Sequence, residues 1–109
     1  MKALALFALP AMLAAVTAGA PGQVRAERTP EQLYEASCAY CHGPGGWGTR
    51  ALAKRYPADQ AELLARENLP AALTKMVVRR GIGSMPQLTP TDITDEELDR
   101  LARWLDERN

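Results

Sequence analysis

The sequence predicts one small all-α domain of about four short helices. Two segments place a threonine three residues before a Gln or Glu, which is the pattern of a capping box at a helix N-terminus. No segment alternates between apolar and polar residues as a half-buried strand does. The 109 residues are enough for one domain and too few for two.

Residues 1–26 are predicted to be a secretory signal peptide. A positively charged start precedes an almost unbroken apolar run, and small residues follow it. An uncleaved membrane anchor is the alternative, but the run contains Pro10 and is shorter than the ~20 residues that a span needs. Cleavage after Ala20 would leave a proline at the new N-terminus, so cleavage after Ala26 is predicted. The mature domain, 27–109, is then expected in the periplasm.

The first helix is predicted from Pro30 to Tyr40. Thr29 and Gln32 form its capping box, and proline suits the first helical position. Glycines and a proline between Gly43 and Gly48 then predict a loop with few side chains. Such a loop is expected where the backbone passes close to a bulky group.

Two helices are predicted in the middle of the chain. Asp59 and Glu62 form a weaker capping pattern for a short helix that ends at Arg66. The next helix follows Asn68 and ends at Gly81, with two arginines in its last turn, where the helix dipole favours cations. Its apolar stripe consists of Leu69, Leu73, Met76 and Val77.

The last helix begins at a capping box formed by Thr94 and Glu97. Ile93 and Leu98 form the accompanying hydrophobic staple. The predicted buried face consists of Leu98, Leu101, Ala102 and Leu105. Glycines and prolines in 81–93 predict an extended loop before this helix.

Charge argues against a nucleic-acid-binding protein. The chain has 13 basic and 13 acidic residues, and removal of 1–26 leaves 11 and 13, a net charge of −2. The charges are segregated, with basic residues in the middle and acidic residues near the end. Solvated helix faces are the favoured interpretation, and a dipolar docking surface is the alternative.

The segment from Cys38 to His42 has the C-x-x-C-H pattern of covalent haem attachment. Two thiols at this spacing reach the two vinyl groups of one macrocycle, and the histidine that follows can coordinate the iron. Without its leader the chain is only about 40% hydrophobic, because 18 hydrophobic residues lie within the first 26. A haem would supply the apolar volume that this domain has few large side chains to provide, and small domains often need a cofactor for this reason.

Two other kinds of site, a disulfide or redox-active cysteine pair and a structural zinc site, are the alternatives for Cys38, Cys41 and His42. A disulfide or thioredoxin-like pair would require a βαβ context that the sequence does not show. A structural zinc site would require four N or S ligands, and this motif supplies only three. Covalent haem is therefore the favoured prediction.

Met85 is predicted to be the second axial ligand of the iron. It lies in the loop Gly81-Ile82-Gly83-Ser84-Met85-Pro86, where its side chain is free to turn inward. Met76 is expected to pack in the core instead. The alternative for Met85 is loop packing, which leaves the iron without a sixth protein ligand. A His/Met pair raises the reduction potential of a cytochrome.

At these residues the sequence resembles the small class I cytochromes c. The resemblance runs from Leu33 to Leu105, with Cys38, Cys41 and His42 at the haem-attachment motif and Met85 at the axial-ligand loop. It implies a few helices around one haem c, with the first and last helices crossing, and one-electron transfer between redox partners. A narrower resemblance, at 69–70, 77–79 and 81–86, is to the cytochrome subunits of p-cresol methylhydroxylase-type flavocytochromes, which accept electrons from a flavin dehydrogenase.

One departure from the family concerns the histidine ligand. Many members carry a proline two residues before a leucine, and its carbonyl orients the axial histidine, whereas here Arg50 precedes Leu52 by two residues. A carbonyl between Gly48 and Arg50 is expected to accept a hydrogen bond from the His42 ring instead. Candidates to contact a haem propionate are Arg50, Trp47 and Tyr56, and solvent exposure is the alternative for the arginine.

The leading functional hypothesis is a periplasmic electron carrier rather than an enzyme. Its iron would cycle between Fe(III) and Fe(II), with a dehydrogenase, such as a flavoprotein, as donor and a cytochrome or oxidase of the respiratory chain as acceptor. A haem-based enzyme or small-ligand sensor with an open iron site is the alternative. No nucleic-acid partner and no stable membrane insertion after cleavage are expected. The residues expected to exclude water from the haem are Leu52, Leu73, Met76, Val77, Ile82, Leu98 and Leu101.

Overall fold

The computed structural model describes residues 26–108 and confirms the all-α fold class. Its α-helices are α1 (Pro30–Ser37), α2 (Ala39–His42), α3 (Trp47–Leu52), α4 (Ala71–Arg80) and α5 (Asp95–Glu107), and two short 3-10 turns lie at Ala58–Gln60 and Leu63–Ala65. Within 26–108 no strand forms beyond an isolated bridge between Ile82 and Met85. In the same range no helix is long and apolar enough to cross a membrane. The predicted signal peptide lies almost entirely outside the described residues.

The first predicted helix is divided in two at Cys38. Thr29 and Gln32 make the predicted capping box, but α1 ends at Ser37 rather than continuing to Tyr40. Cys38 has φ −126° and ψ −42°, which departs from helical geometry, and α2 begins at the next residue. The break therefore falls on the first cysteine of the motif.

The prediction of a continuous loop through Gly48 was wrong. Gly46 is the N-cap of α3, which places Gly48 inside a helix. A Cβ at Gly46 would overlap the carbonyl oxygen of Cys41, so glycine allows the chain to turn back against the motif. The hydroxyl of Thr49 also donates to the Gly43 carbonyl at 2.8 Å and closes the turn.

The predicted helix between Asp59 and Arg66 does not form. Two 3-10 turns replace it, and neither has a side-chain cap. Glu62 separates them with an extended backbone (ψ 138°), so the helical hydrogen-bond ladder is interrupted before it can grow.

The buried face of α4 differs from the predicted stripe. Thr74 and Val78 are buried, whereas Met76 is 46% exposed and does not pack in the core as predicted. Leu73 and Val77 are less covered than Thr74 and Val78, although all four line one cavity. Of the predicted stripe only Leu69, which precedes α4, is buried, so the buried face of the helix lies one position further along the chain than predicted.

Helix α5 packs against both α1 and α4. The four residues of its predicted buried face are all buried, and Ile93 and Leu98 both belong to the core. Leu33 and Tyr34 supply the α1 side of this core. The Tyr34 and Trp104 rings lie 6.1 Å apart between centroids, at 49° to each other. The first and last helices therefore meet as the resemblance implies.

The two oppositely charged regions meet at the surface where α4 packs against α5. Lys75 on α4 pairs with Asp99 on α5 at 2.9 Å, and Arg79 pairs with Asp95 at 2.7 Å. These pairs cross the α4–α5 contact, so part of the charge segregation is neutralised by folding. Exposed pairs of this kind contribute little stability individually.

Glu97 ties the start of the described chain to α5. Its side chain is almost fully buried and accepts two hydrogen bonds of 2.8 Å from the Arg28 guanidinium, a bidentate pair. It also accepts from the Thr94 backbone NH at 3.0 Å, which completes the predicted capping box. One carboxylate thus caps a helix and anchors the segment before α1.

We expect Glu97→Ala to lower the free energy of unfolding by about 3 kcal/mol, because it leaves the Arg28 guanidinium without its partner and removes half of a capping box. The matched control is Glu96→Ala, an exposed residue in the same turn, which should cost no more than about 1 kcal/mol. Denaturant unfolding of the two variants measures the difference. Equal losses would contradict the anchoring role of Glu97.

Candidate cofactor site

An apolar cavity of about 240 Å³ lies between the helices. Leu52 after the motif, Leu73 and Val77 from α4, and Leu101 and Leu105 from α5 form part of its wall. Cys38, His42 and Met85 also line it, so the cavity brings together three of the four predicted site residues. Of the residues expected to exclude water, Met76 and Leu98 do not line the cavity: the first is exposed and the second lies in the core.

The attachment motif is held in one backbone turn. The Cys38 carbonyl accepts hydrogen bonds from the backbone NH of Cys41 at 3.1 Å and of His42 at 2.9 Å. Cys38 faces the cavity, whereas Cys41 is exposed and does not line it. Burial, reinforced by the neighbouring Cys41, raises the pKa of the Cys38 thiol to about 11.

His42 is half-buried, and its Nδ1 has no hydrogen-bond partner. The predicted acceptor carbonyl between Gly48 and Arg50 is therefore not found. Gly48 instead packs against the ring, since a Cβ there would lie 3.2 Å from Cε1 and 3.3 Å from Nδ1. Burial lowers the pKa of His42, and the positive charge of Arg66 lowers it further. The neutral imidazole that results is the form that binds metal ions.

Met85 is positioned by a tight turn after α4. Its backbone NH donates to the Ile82 carbonyl at 2.9 Å, and its carbonyl accepts from the Ile82 NH at 3.2 Å. Gly81 ends α4 with φ 69° and ψ 167°, a conformation that is essentially restricted to glycine. A Cβ at Gly81 would lie 2.7 Å from the Met85 carbonyl oxygen, so the turn depends on this glycine.

Arg79 holds the segment that follows Met85. It donates to the carbonyl of Leu88 at 2.8 Å and to that of Ile93 at 2.9 Å, while its other contact is Asp95. The Leu88 backbone NH also donates a hydrogen bond to the Val78 carbonyl oxygen at 2.9 Å. From the sequence, Arg79 was expected only to interact favourably with the helix dipole at the end of α4. Its hydrogen bonds to the loop were missed because the carbonyls that it binds are 9 and 14 residues away.

The structure supports one of the three propionate candidates. Tyr56 lines the cavity, but Trp47 does not, and Arg50 is exposed, with its guanidinium donating to the Gly45 carbonyl. Arg55 and Arg66 line the cavity instead. Sequence reasoning did not place them on the cavity wall, because nothing in the local pattern distinguishes them from neighbouring exposed cations.

The family model for cytochrome c oxidase, cbb3-type, subunit III matches residues 25–105. The chain belongs to this family. It is a c-type cytochrome domain of the class I mono-haem kind, and the chemistry of such domains is haem-based electron transfer. No curated protein and no solved structure is similar enough to the chain to be matched to it. The narrower resemblance to flavocytochrome subunits stays a prediction.

The residues of this cytochrome domain fit the haem c that the family implies. The cavity wall is mainly apolar, as a macrocycle requires, and His42 and Met85 reach it from separate segments, one before and one after α4. No group of three or more His, Cys, Asp or Glu within 26–108 is arranged to hold a metal ion by itself. The donor set therefore suits a haem better than the structural zinc site considered from the sequence.

We expect Gly81→Ala to cost about 3 kcal/mol or more in unfolding free energy, because alanine is strained at this φ and ψ and its Cβ collides with the Met85 carbonyl. Gly83→Ala is the matched control in the same turn. Gly83 also has positive φ (55°), but its Cβ would meet nothing within 4 Å, so about 1 kcal/mol is expected. Guanidinium unfolding of the two haem-loaded variants compares the costs. A penalty at Gly83 as large as at Gly81 would show that the close approach to Met85 does not matter.

Proposed function

We propose that this cytochrome domain is a periplasmic one-electron carrier between a dehydrogenase and the respiratory chain. The observation that carries the proposal is one apolar cavity whose wall contains Cys38, His42 and Met85. These residues come from segments more than 40 positions apart in sequence, and folding brings them to one place. An electron carrier requires such a site, in which both iron ligands belong to the protein.

Each predicted site residue has a distinct role in this proposal. The thiols of Cys38 and Cys41 would attach the macrocycle by adding to its two vinyl groups, and the imidazole of His42 and the thioether of Met85 would bind the iron. When bound, the haem supplies a one-electron couple between Fe(III) and Fe(II). Apolar side chains such as Leu73 exclude water and so tune the potential of that couple.

The backbone around both axial ligands supports a carrier. Gly46 and Thr49 fix the turn beside His42, and the Ile82 hydrogen bonds fix Met85. Ligands held by the polypeptide move little when the iron changes charge, and two protein ligands leave no open position for a substrate. His42 is also the chain's single histidine, so no second imidazole is present to act as an acid or base.

Location and partners are inferred from the sequence. The leader in 1–26 supports export, and c-type haem attachment takes place outside the cytoplasm. The resemblance to flavocytochrome subunits supports a flavin dehydrogenase as donor. The family description names an oxidase subunit, which supports a cytochrome or oxidase as acceptor.

Covalent haem is tested by a denaturing gel stained for haem. The full chain, expressed in a host that attaches haem outside the cytoplasm, should give a stained band, because thioethers survive denaturation. The variant with both Cys38→Ala and Cys41→Ala should give none. Absence of the band from the unaltered chain would overturn the proposed function.

Met85→Ala tests the sixth ligand and, with it, the carrier role. Loss of the thioether would leave the sixth coordination position of the iron without a protein ligand. We therefore expect carbon monoxide to bind the reduced protein and the reduction potential to fall. Met76→Ala is the matched control, because Met76 is exposed on α4 and does not line the cavity. If Met85→Ala behaved like Met76→Ala in spectrum, carbon monoxide binding and potential, an enzyme or sensor with an open iron site would replace the carrier.

A further inference from the structure

Two arginines on the cavity wall have no anionic partner. Arg55 and Arg66 both line the cavity, yet within the described chain no carboxylate lies within 4 Å of either guanidinium, and neither donates a hydrogen bond. Two half-buried arginines elsewhere in the described chain behave differently. Arg28 binds a buried carboxylate, and Arg79 binds two carbonyls and an aspartate.

Tyr56 holds one of these arginines in place. The Arg66 guanidinium carbon lies 3.9 Å from the centroid of the Tyr56 ring, a cation–π contact. Arg55 precedes Tyr56 in the chain, and all three residues line the same cavity. A planar guanidinium held on a ring keeps its donors in a fixed plane, which suits a bidentate contact to a carboxylate.

The rest of the wall limits what the two cations can bind. Arg66 is half-buried, and holding its charge against an apolar wall costs free energy that an opposite charge offsets. Arg55 also lines the cavity but is exposed, so water solvates its charge. A matching ligand therefore has a broad apolar body and carboxylates at one edge. This inference rests on the proposed function, since the haem that the family implies has such a shape and carries two propionates.

We propose that Arg55 and Arg66, with Tyr56, form a carboxylate-binding edge of the cavity that holds the two haem propionates. This edge would set the rotation of the macrocycle, with its carboxylates towards the segment that precedes α4. It also places two cations beside two anions near the iron. Loss of either arginine leaves an uncompensated negative charge, which stabilises Fe(III) over Fe(II).

The experiment compares charge-removing variants of the full haem-loaded protein. We expect Arg55→Gln and Arg66→Gln each to lower the reduction potential. The expected size is on the order of a tenfold change in the Fe(II)/Fe(III) ratio, or about 59 mV for one electron. The infrared bands of the haem carboxylates should shift as well, because their hydrogen bonds change.

Two variants serve as controls. Arg80→Gln removes the same charge from the end of α4, and Arg50→Gln removes the arginine that was a propionate candidate from the sequence; neither residue lines the cavity. Both should leave the carboxylate bands unchanged and shift the potential much less. If Arg55→Gln and Arg66→Gln behaved like Arg80→Gln, the proposal would be wrong.

Lysine variants keep the test decisive if a glutamine variant does not fold. Arg55→Lys and Arg66→Lys retain the charge but lose the bidentate geometry, so we expect near-normal potentials with shifted carboxylate bands. Unchanged bands in both lysine variants would overturn the inference. A normal haem-stained band in all variants keeps this result separate from the proposed function, which fails only if the unaltered chain binds no haem.

Discussion

The packing of α1 against α5 is the contact on which the rest of the structure depends. Helix α1 ends directly before the attachment motif. Helix α5 packs against α1 and also against α4. The His42 and Met85 segments therefore reach a common cavity because both are joined to α5. The bidentate contact between Arg28 and Glu97 reinforces this junction at the start of both helices. Leu101 and Leu105 belong to the core and to the cavity wall at once, so core packing and the shape of the site are not independent.

Much of the fold and the motif could be predicted because their signals are local. Both capping boxes formed as predicted, since each depends on residues three positions apart. The burial of α5 followed from its apolar spacing for the same reason. The attachment motif is likewise local, since five consecutive residues carry its chemistry.

The wrong prediction for the buried face of α4 has a physical cause, which is that it depends on which surface a neighbouring segment covers. Helical spacing showed that α4 is amphipathic, but only the position of α5 decides that Thr74 and Val78 are buried and Met76 is exposed. The same limit explains why Arg66 was not among the candidates for a propionate contact that the sequence offered. The Tyr56 ring and the cavity are features of the folded chain, and neither is encoded within a few residues of Arg66.

The polypeptide itself holds both ligand segments, and this bears on electron transfer. On the histidine side, Gly46 and Gly48 let backbone and ring approach so closely that even a methyl group would disturb them. On the methionine side, Gly81 and the Ile82 hydrogen bonds fix the turn, and Arg79 fixes the chain beyond it. Most of these constraints are backbone contacts that do not involve the iron ligands' own atoms, so a one-electron change at the iron would leave them in place. Such a site favours the same geometry in both oxidation states, whereas one held only by flexible side chains would rearrange more with each electron.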